Sequence, residues 1–166
     1  MTEGGGMSPL SETDVADLVK QHPDAAMVTL RPDGAPHMAR VELGVVDGRV
    51  RTAGSPELVR TRHLRRDPRC SLFVFGPHPW WLGLETEGAM LDGPGAAEHL
   101  VRLMRARHPA TPPGMVMAHD DALGRDRLYR EDDYVQHAHD HELFVFDFTI
   151  LRAYGNTEEV RPGHPT

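Results

Sequence analysis

Cysteine is almost absent from this sequence, which has a single one, Cys70, among its 166 residues. One cysteine cannot form an internal disulfide, and it does not give the spacing of a cysteine-based metal site. The sequence therefore indicates a protein of a reducing compartment, and we expect it in the cytoplasm.

Long apolar runs and export signals are also missing. No apolar run approaches the roughly 20 residues that a membrane-spanning helix needs. The first ten residues, MTEGGGMSPL, contain neither the basic segment nor the apolar segment of a secretory signal. We therefore expect neither insertion into a membrane nor export.

The chain as a whole lacks an excess of positive charge, because its formal net charge is -7. Proteins that coat nucleic acid need a broad basic surface that contacts many phosphates, so we expect no nucleic-acid partner. The exception is the segment 58–69, LVRTRHLRRDPR, which carries five arginines and one acid. A local basic segment in an acidic chain raises the question of which anion it binds.

The length and the apolar content predict one domain. A chain of 166 residues with 39% hydrophobic residues can bury one core but is short for two. We expect a flexible N-terminal tail over residues 1–10, a single domain over residues 11–156 and a C-terminal tail over residues 157–166.

Alternating apolar residues and tight turns predict an antiparallel sheet. The clearest alternation covers residues 35–46, where apolar side chains occupy odd positions as in a half-buried strand. The turn sequences RPDG and DG join this strand to its neighbours. The six predicted strands cover residues 25–30, 35–46, 49–53, 69–75, 80–91 and 142–154.

Helices are predicted at the margins of this sheet. The sequence SETD from Ser11 is typical of a capping box. Ser55 followed by Pro56 predicts the start of a second helix, which contains the arginines and ends before Pro68. A third helix is expected over residues 95–107, and residues 120–134 are compatible with another. The predicted fold is α+β, an antiparallel barrel or sandwich with short peripheral helices.

The strand end at residues 52–55, TAGS, followed by a basic helix, is typical of a phosphate site. Backbone donors, a positive helix end and the guanidinium groups of Arg60 and Arg62 would lie close together there. The alternative is a solvated surface helix. We expect Arg65, Arg66 and Arg69 to be solvated or paired with acids.

The order of these motifs resembles the flavin and deazaflavin oxidoreductases of the split β-barrel type, the relatives of pyridoxamine 5'-phosphate oxidase. The matching motifs are PDG-x-PH, DG, T-x-G-S and R-x-R-x-L-R-R-D-P-R. They cover residues 25–91, with support from the last strand, and leave residues 108–141 unexplained. The resemblance implies a six-stranded split barrel that forms a homodimer, with the cofactor at the subunit interface.

The resemblance also implies residue roles. The strand whose edge contacts the cofactor ring and ribityl chain carries His37, Met38, Ala39 and Arg40. The phosphate side is formed by Thr52, Ala53, Gly54, Ser55, Arg60 and Arg62.

The implied cofactor is coenzyme F-420, with flavin mononucleotide (FMN) as the alternative. Val59 and Glu42 stand at places where FMN-dependent relatives often carry basic residues, so both remove positive charge near the phosphate. This difference favours coenzyme F-420.

The function implied by the resemblance is hydride transfer between this cofactor and a small unsaturated or conjugated substrate. The sequence identifies no catalytic side chain. The alternatives are an FMN-dependent enzyme similar to pyridoxamine 5'-phosphate oxidase, and a non-catalytic protein that binds flavin or haem.

Two further motifs remain open. Trp80 and Trp81 either line a substrate pocket or belong to the barrel core or dimer interface. The sequence HAHDH places His137, His139 and His141 on one face if it is extended, which would suit a metal, whereas in a loop or helix the imidazoles diverge. We expect no required metal.

Overall fold

The computed structural model describes residues 10–120 and 123–156, which form a curled antiparallel sheet and four short helices. In chain order the elements are α1 Glu12–Gln21, β1 Asp24–Leu30, β2 Pro36–Glu42, β3 Gly44–Val46, β4 Arg49–Gly54, α2 Val59–Arg66, β5 Arg69–Phe75, β6 Trp81–Leu91, α3 Ala96–Arg107, β7 Met115–Asp120, β8 Arg125–Arg130, α4 Glu131–Asp140 and β9 Phe144–Asn156. The predicted tails lie outside the described residues, except for Leu10.

The main sheet has seven strands in the order β2-β1-β5-β6-β9-β4-β3. The predicted α+β split barrel is confirmed, with seven strands in place of the six expected. The extra strand arises because the predicted strand 35–46 is broken at Leu43, whose N–H donates to Pro23 O at 2.7 Å. β2 pairs with β1 whereas β3 pairs with β4, so the break carries the chain from one sheet edge to the other.

The two edges meet at the break. The Thr52 hydroxyl in β4 donates to the carbonyl oxygen of Glu42 at the end of β2, at 2.7 Å. The sheet therefore curls far enough to bring β2, at one edge, into contact with β4, which lies next to the other edge. This meeting point positions the candidate site described below.

α2 begins later than the sequence predicted. Its N-cap is Leu58, and no side chain caps it. Ser55 lies in a turn before the helix, where its carbonyl oxygen accepts from Leu58 N at 3.4 Å and from the Thr61 hydroxyl at 2.7 Å. The prediction of Ser55 as the N-cap, with Pro56 as the first helical residue, is therefore wrong. The capping box of α1 at Ser11 is confirmed.

A second, smaller layer covers one side of the barrel. β7 and β8 form a separate hairpin, which packs with α3 and α4 around buried apolar side chains such as Leu100 and Val116. The interpretation of residues 120–134 as helical is wrong at Asp120 and over residues 125–130, which are strand residues of this hairpin. It holds from Glu131 onward, and residues 121–122 lie outside the described residues. No helix among the described residues is long and apolar enough to cross a membrane.

Candidate functional site

A cavity of about 420 Å³ lies where β2 and β4 meet and where the smaller layer faces them. This volume is within the range of natural ligand pockets. Six of the ten residues that the sequence analysis assigned to the cofactor line it together: Arg40, Thr52, Ala53, Gly54, Ser55 and Arg60.

Gly54 lies at the end of β4, where the absence of a side chain allows the backbone to pack closely against two core phenylalanines. A Cβ atom at this position would be 2.4 Å from the Phe146 ring and 2.8 Å from the Phe144 ring. A side chain cannot be accommodated there without displacing the core. The TAGS segment therefore presents mainly backbone and small side chains to the cavity.

Arg60 is the cation at the end of this segment. It is half-buried, and its Nε is buried without a hydrogen-bond partner among the described residues. Burial lowers the pKa of Arg60, although a guanidinium stays protonated in proteins. Arg60 is therefore a charge that has lost part of its hydration and has no counter-charge in an ion pair within the described chain.

Arg107, the last residue of α3, also lines the cavity, together with Arg60 and Arg40. Its guanidinium donates to the carbonyl oxygen of Glu42 and, at 3.3 Å, to the Thr52 hydroxyl. Burial lowers the pKa of Arg107. Both of these acceptors are neutral, so Arg107 is held in place without being neutralised by them.

The smaller layer supplies the rest of the far wall. His119 Nδ1 lies 3.2 Å from a carboxylate oxygen of Asp126. Tyr134 is buried, and burial raises its pKa to about 12, so its phenol is neutral at physiological pH. His137 completes this wall, with its ring centroid 5.8 Å from that of Tyr129.

None of the residues predicted to bind the cofactor lies on this wall. The resemblance over residues 25–91 does not reach Arg107, and it leaves residues 108–141 unexplained. No local motif distinguishes Arg107 from the other arginines of α3. Its role depends on the packing of α3 against the meeting point of β2 and β4.

Four predicted cofactor residues do not line the cavity: His37, Met38, Ala39 and Arg62. The His37 ring packs against that of His63, with centroids 5.2 Å apart, and His63 Nδ1 lies 2.9 Å from the Thr29 hydroxyl. Met38 and Arg62 are exposed. Their cofactor roles stay predictions.

The two tryptophans also lie outside the cavity. Trp80 is buried in the core, and its ring packs against His22 at a centroid distance of 4.4 Å. Trp81 lies on the outer face of the sheet, stacked on Phe73 at 5.6 Å. Trp80 is thus a core residue, and the substrate-pocket and dimer-interface roles of Trp81 stay predictions.

The HAHDH segment is largely helical and not extended, so the three imidazoles do not all lie on one face. His137 and His139 lie in α4 and His141 follows it. The rings of His137 and His141 are 4.5 Å apart, whereas His139 lines a separate small cavity beside α3. Among residues 10–120 and 123–156, no group of three histidine, cysteine or acidic side chains is arranged to hold a metal.

We predict that no metal is required at HAHDH. Elemental analysis of protein made without a histidine tag is expected to give well under one zinc, nickel or copper per chain, because two imidazoles one helical turn apart supply too few ligands for a structural site. A stoichiometric metal that survives dialysis against a chelator would contradict this prediction.

A family profile described as pyridoxamine 5'-phosphate oxidase matches residues 11–155. The chain belongs to this family. Members of the pyridoxamine 5'-phosphate oxidase family bind flavins. No curated protein sequence matches the chain.

Solved structures of low sequence identity share this family's fold with the chain. The conserved hypothetical protein Rv2991 of Mycobacterium tuberculosis is 19% identical with a TM-score of 0.67, over 99% of this chain and 97% of that one. An F420 reductase is 13% identical with a TM-score of 0.56, over 91% and 98%. A haem-binding protein of Mycobacterium smegmatis is 16% identical with a TM-score of 0.55, over 92% of this chain and 60% of that one.

The cavity fits the phosphate of a flavin-type cofactor. Arg60 has a buried Nε without a hydrogen-bond partner among the described residues, and a charge-assisted contact to an anion would satisfy it. The segment 52–55 beside it consists of small residues that also line the cavity. The chemistry of the residues present therefore agrees with the family.

Proposed function

We propose that the protein is a cytoplasmic oxidoreductase that binds coenzyme F-420 in this cavity, with FMN as the alternative. The observation that carries the proposal is the half-buried Arg60, which lies at the end of the TAGS segment with no ion pair among the described residues. When bound, the cofactor supplies the hydride for reduction of a small unsaturated or conjugated substrate.

The residues of the chain have positioning roles in this proposal. Arg60 and the segment 52–55 hold the phosphate. Arg40 lies at the rim of the cavity, and its guanidinium is fixed by Asp24 at 2.8 Å. Leu100 and Met104 line the opposite wall, and their apolar side chains exclude water from the reacting groups.

The charge around the cavity supports coenzyme F-420 over FMN. Val59 is exposed and carries no charge, and the carboxylate residue Glu42 is part of the lining. Both positions make the cavity less favourable for the compact dianion of a terminal phosphate. The fold shared with an F420 reductase is in keeping with this preference.

A haem-binding protein is the second candidate. His108, His119 and His137 all line the cavity, and histidine is a common haem ligand. A structural neighbour from Mycobacterium smegmatis binds haem.

Absorbance spectra of the purified protein test these candidates, because flavin, deazaflavin and haem have different visible spectra. We expect a spectrum of bound deazaflavin or flavin, or its appearance on titration with coenzyme F-420 or FMN. A haem spectrum with no response to either cofactor would favour the second candidate. Reduction assays with reduced coenzyme F-420 then test the enzyme activity.

We also propose that two copies of the chain form a homodimer through the outer face of the sheet. Phe73, Phe75 and Trp81 lie together there, and the two phenylalanines are 39% and 52% exposed. Exposed aromatic clusters of this kind are typical of interaction sites. The strand register connects this aromatic cluster to the cavity. One row of paired residues across the sheet contains Arg40, at the rim of the cavity, followed by Ala26, Phe73, Gly83 and Tyr154.

We predict that Phe75→Asp converts the dimer to a monomer, because the substitution places a charge in the centre of an apolar interface. Sedimentation is expected to give twice the chain mass of 18.5 kDa for wild type and one chain mass for the variant. Leu128→Asp, on the exposed side of β8, is the control and should remain dimeric. A monomeric wild type at micromolar concentration would contradict the proposal.

A further inference from the structure

Three arginines line the cavity, and Arg40 is paired with Asp24. The other two, Arg60 and Arg107, form no ion pair among the described residues, and one cofactor phosphate accounts for only one of them. Arg60 follows the Ser55 end of the TAGS segment, whereas Arg107 is hydrogen-bonded at the Thr52 end. Three residues of extended chain separate these ends, which is about 10 Å at the rise of a β-strand. Arg107 is therefore held at the Thr52 end of the segment, whereas Arg60 lies in the helix that follows its Ser55 end.

No carboxylate of the described chain forms an ion pair with Arg107. Its guanidinium contacts the Glu42 carbonyl oxygen, the Thr52 hydroxyl and, at 3.9 Å, the Met104 sulfur. The other acid on that wall, Asp126, is paired with His119. The Nε of Arg107 is buried without a hydrogen-bond partner among the described residues.

If position 107 had only a structural role, a neutral side chain would fill it without the cost of burying a charge. Burying a guanidinium costs free energy unless the charge is paired. The two neutral acceptors orient Arg107, and the carboxylates of Glu42 and Asp126 act on it only at longer range, without an ion pair. An anionic ligand in the cavity would supply a directly paired negative charge.

We propose that Arg107 binds an anionic group of the substrate, so that the substrate is a small organic anion such as a carboxylate. The inference rests on the proposed function, because it assigns the cofactor phosphate to Arg60. The carboxylate accepts hydrogen bonds from the guanidinium of Arg107, and the adjacent apolar side chains of Leu100 and Met104 contact the body of the substrate. Arg107 is thus a specificity residue and does not take part in the hydride transfer.

The test compares benzoate with benzamide, its neutral analogue, by calorimetric titration of protein saturated with cofactor. Wild type is expected to bind benzoate at least about tenfold more tightly, the lower end for a charge-assisted contact. Arg107→Met removes the charge and keeps an unbranched side chain, and it should bring the two affinities within about twofold. Arg107→Lys should retain most of the preference.

Arg102→Met is the matched control. Arg102 lies on the same helix, but it is exposed and paired with Asp47 at 2.5 Å, so its replacement should leave the benzoate preference unchanged. Equal binding of benzoate and benzamide by wild type would overturn the proposal, and this comparison needs no variant that must fold. A preference that survives in folded Arg107→Met protein would overturn it as well.

A separate titration distinguishes the two possible sources of the anion. If Arg107→Met weakens binding of FMN or coenzyme F-420 as much as Arg60→Met does, Arg107 binds an acidic group of the cofactor and the proposal is wrong. If wild type binds neither cofactor, the proposed function fails. The benzoate preference is then measured on cofactor-free Arg60→Met protein, in which Arg60 cannot bind the benzoate. A preference for benzoate in this variant supports the proposed role of Arg107, and equal binding of benzoate and benzamide overturns it.

Discussion

Replacement of Arg60 by alanine is expected to weaken cofactor binding by about ten- to a hundredfold. A charge-assisted hydrogen bond to phosphate contributes roughly 1.5 to 3 kcal/mol, and about 1.4 kcal/mol corresponds to a factor of ten. Arg60 has no hydrogen bond or ion pair within the described chain that the substitution would break. The loss should therefore appear in the dissociation constant, with little change in the free energy of unfolding.

Two arginines of the same helix provide matched controls for this experiment. Arg65 and Arg66 are exposed in the last turn of α2, and Arg66 donates to the Leu30 carbonyl oxygen. A positive charge there interacts favourably with the helix dipole without any ligand. Arg65→Ala and Arg66→Ala should bind coenzyme F-420 and FMN like wild type at the same salt concentration. Equal losses in all three variants would mean that the basic helix acts as a diffuse charged surface.

The second large effect concerns stability. Asp147→Ala is expected to lower the free energy of unfolding by about 3 to 5 kcal/mol, the usual cost of removing one partner of a buried ion pair. Asp147 in β9 accepts from Arg51 Nε at 2.7 Å and from Arg49, and both Asp147 and Arg51 are buried. The variant would leave the buried Arg51 charge without its carboxylate. Urea unfolding measures the loss.

The exposed acid Asp17 is the control for this variant. It pairs with Lys20 on the surface of α1 at 3.4 Å, and exposed pairs of this kind contribute little. Asp17→Ala should therefore unfold close to wild type. A similar loss in both variants would show that the ion pair in the sheet is no stronger than a surface pair.

The stability difference between wild type and Asp147→Ala should depend on pH. Burial alone would raise the pKa of Asp147, but hydrogen bonds from Arg49 and Arg51 lower it below its usual value. A carboxylate with a lowered pKa in the folded state stabilises the fold above its unfolded pKa, near 3.9. This stabilisation is lost as the pH falls through the folded pKa, so the difference should shrink under acidic conditions.

Local sequence signals predicted much of this fold. The capping box at Ser11 and the turn signals at residues 31–34 and 47–48 depend on a few adjacent residues, and the structure has the helix and the hairpins there. The α2 start was predicted incorrectly because the carbonyl of Ser55 is bonded by the Thr61 hydroxyl, a contact within a turn that a serine-proline signal does not reveal.

The remaining features depend on distant contacts. The break at Leu43 is a consequence of pairing with opposite sheet edges, and an uninterrupted apolar alternation contains no sign of it. The strand β8 is mostly polar and exposed, so its sequence resembles a solvated segment. A local motif predicts Arg60, which lines the cavity. Arg107 reaches the cavity through the packing of α3 near β2 and β4, and no local motif predicts that contact.

The central claim is that Arg60 binds the phosphate of the cofactor in this cavity. Its most direct test is the affinity of wild type and Arg60→Ala for FMN and for riboflavin, which lacks the phosphate, with coenzyme F-420 and its phosphate-free deazaflavin nucleoside as a second pair. We expect wild type to prefer the phosphorylated ligand of at least one pair by about ten- to a hundredfold, and Arg60→Ala to lose most of this preference, because the two changes remove the same interaction. Equal affinity of wild type for both members of each pair, or an undiminished preference in Arg60→Ala, would contradict the claim.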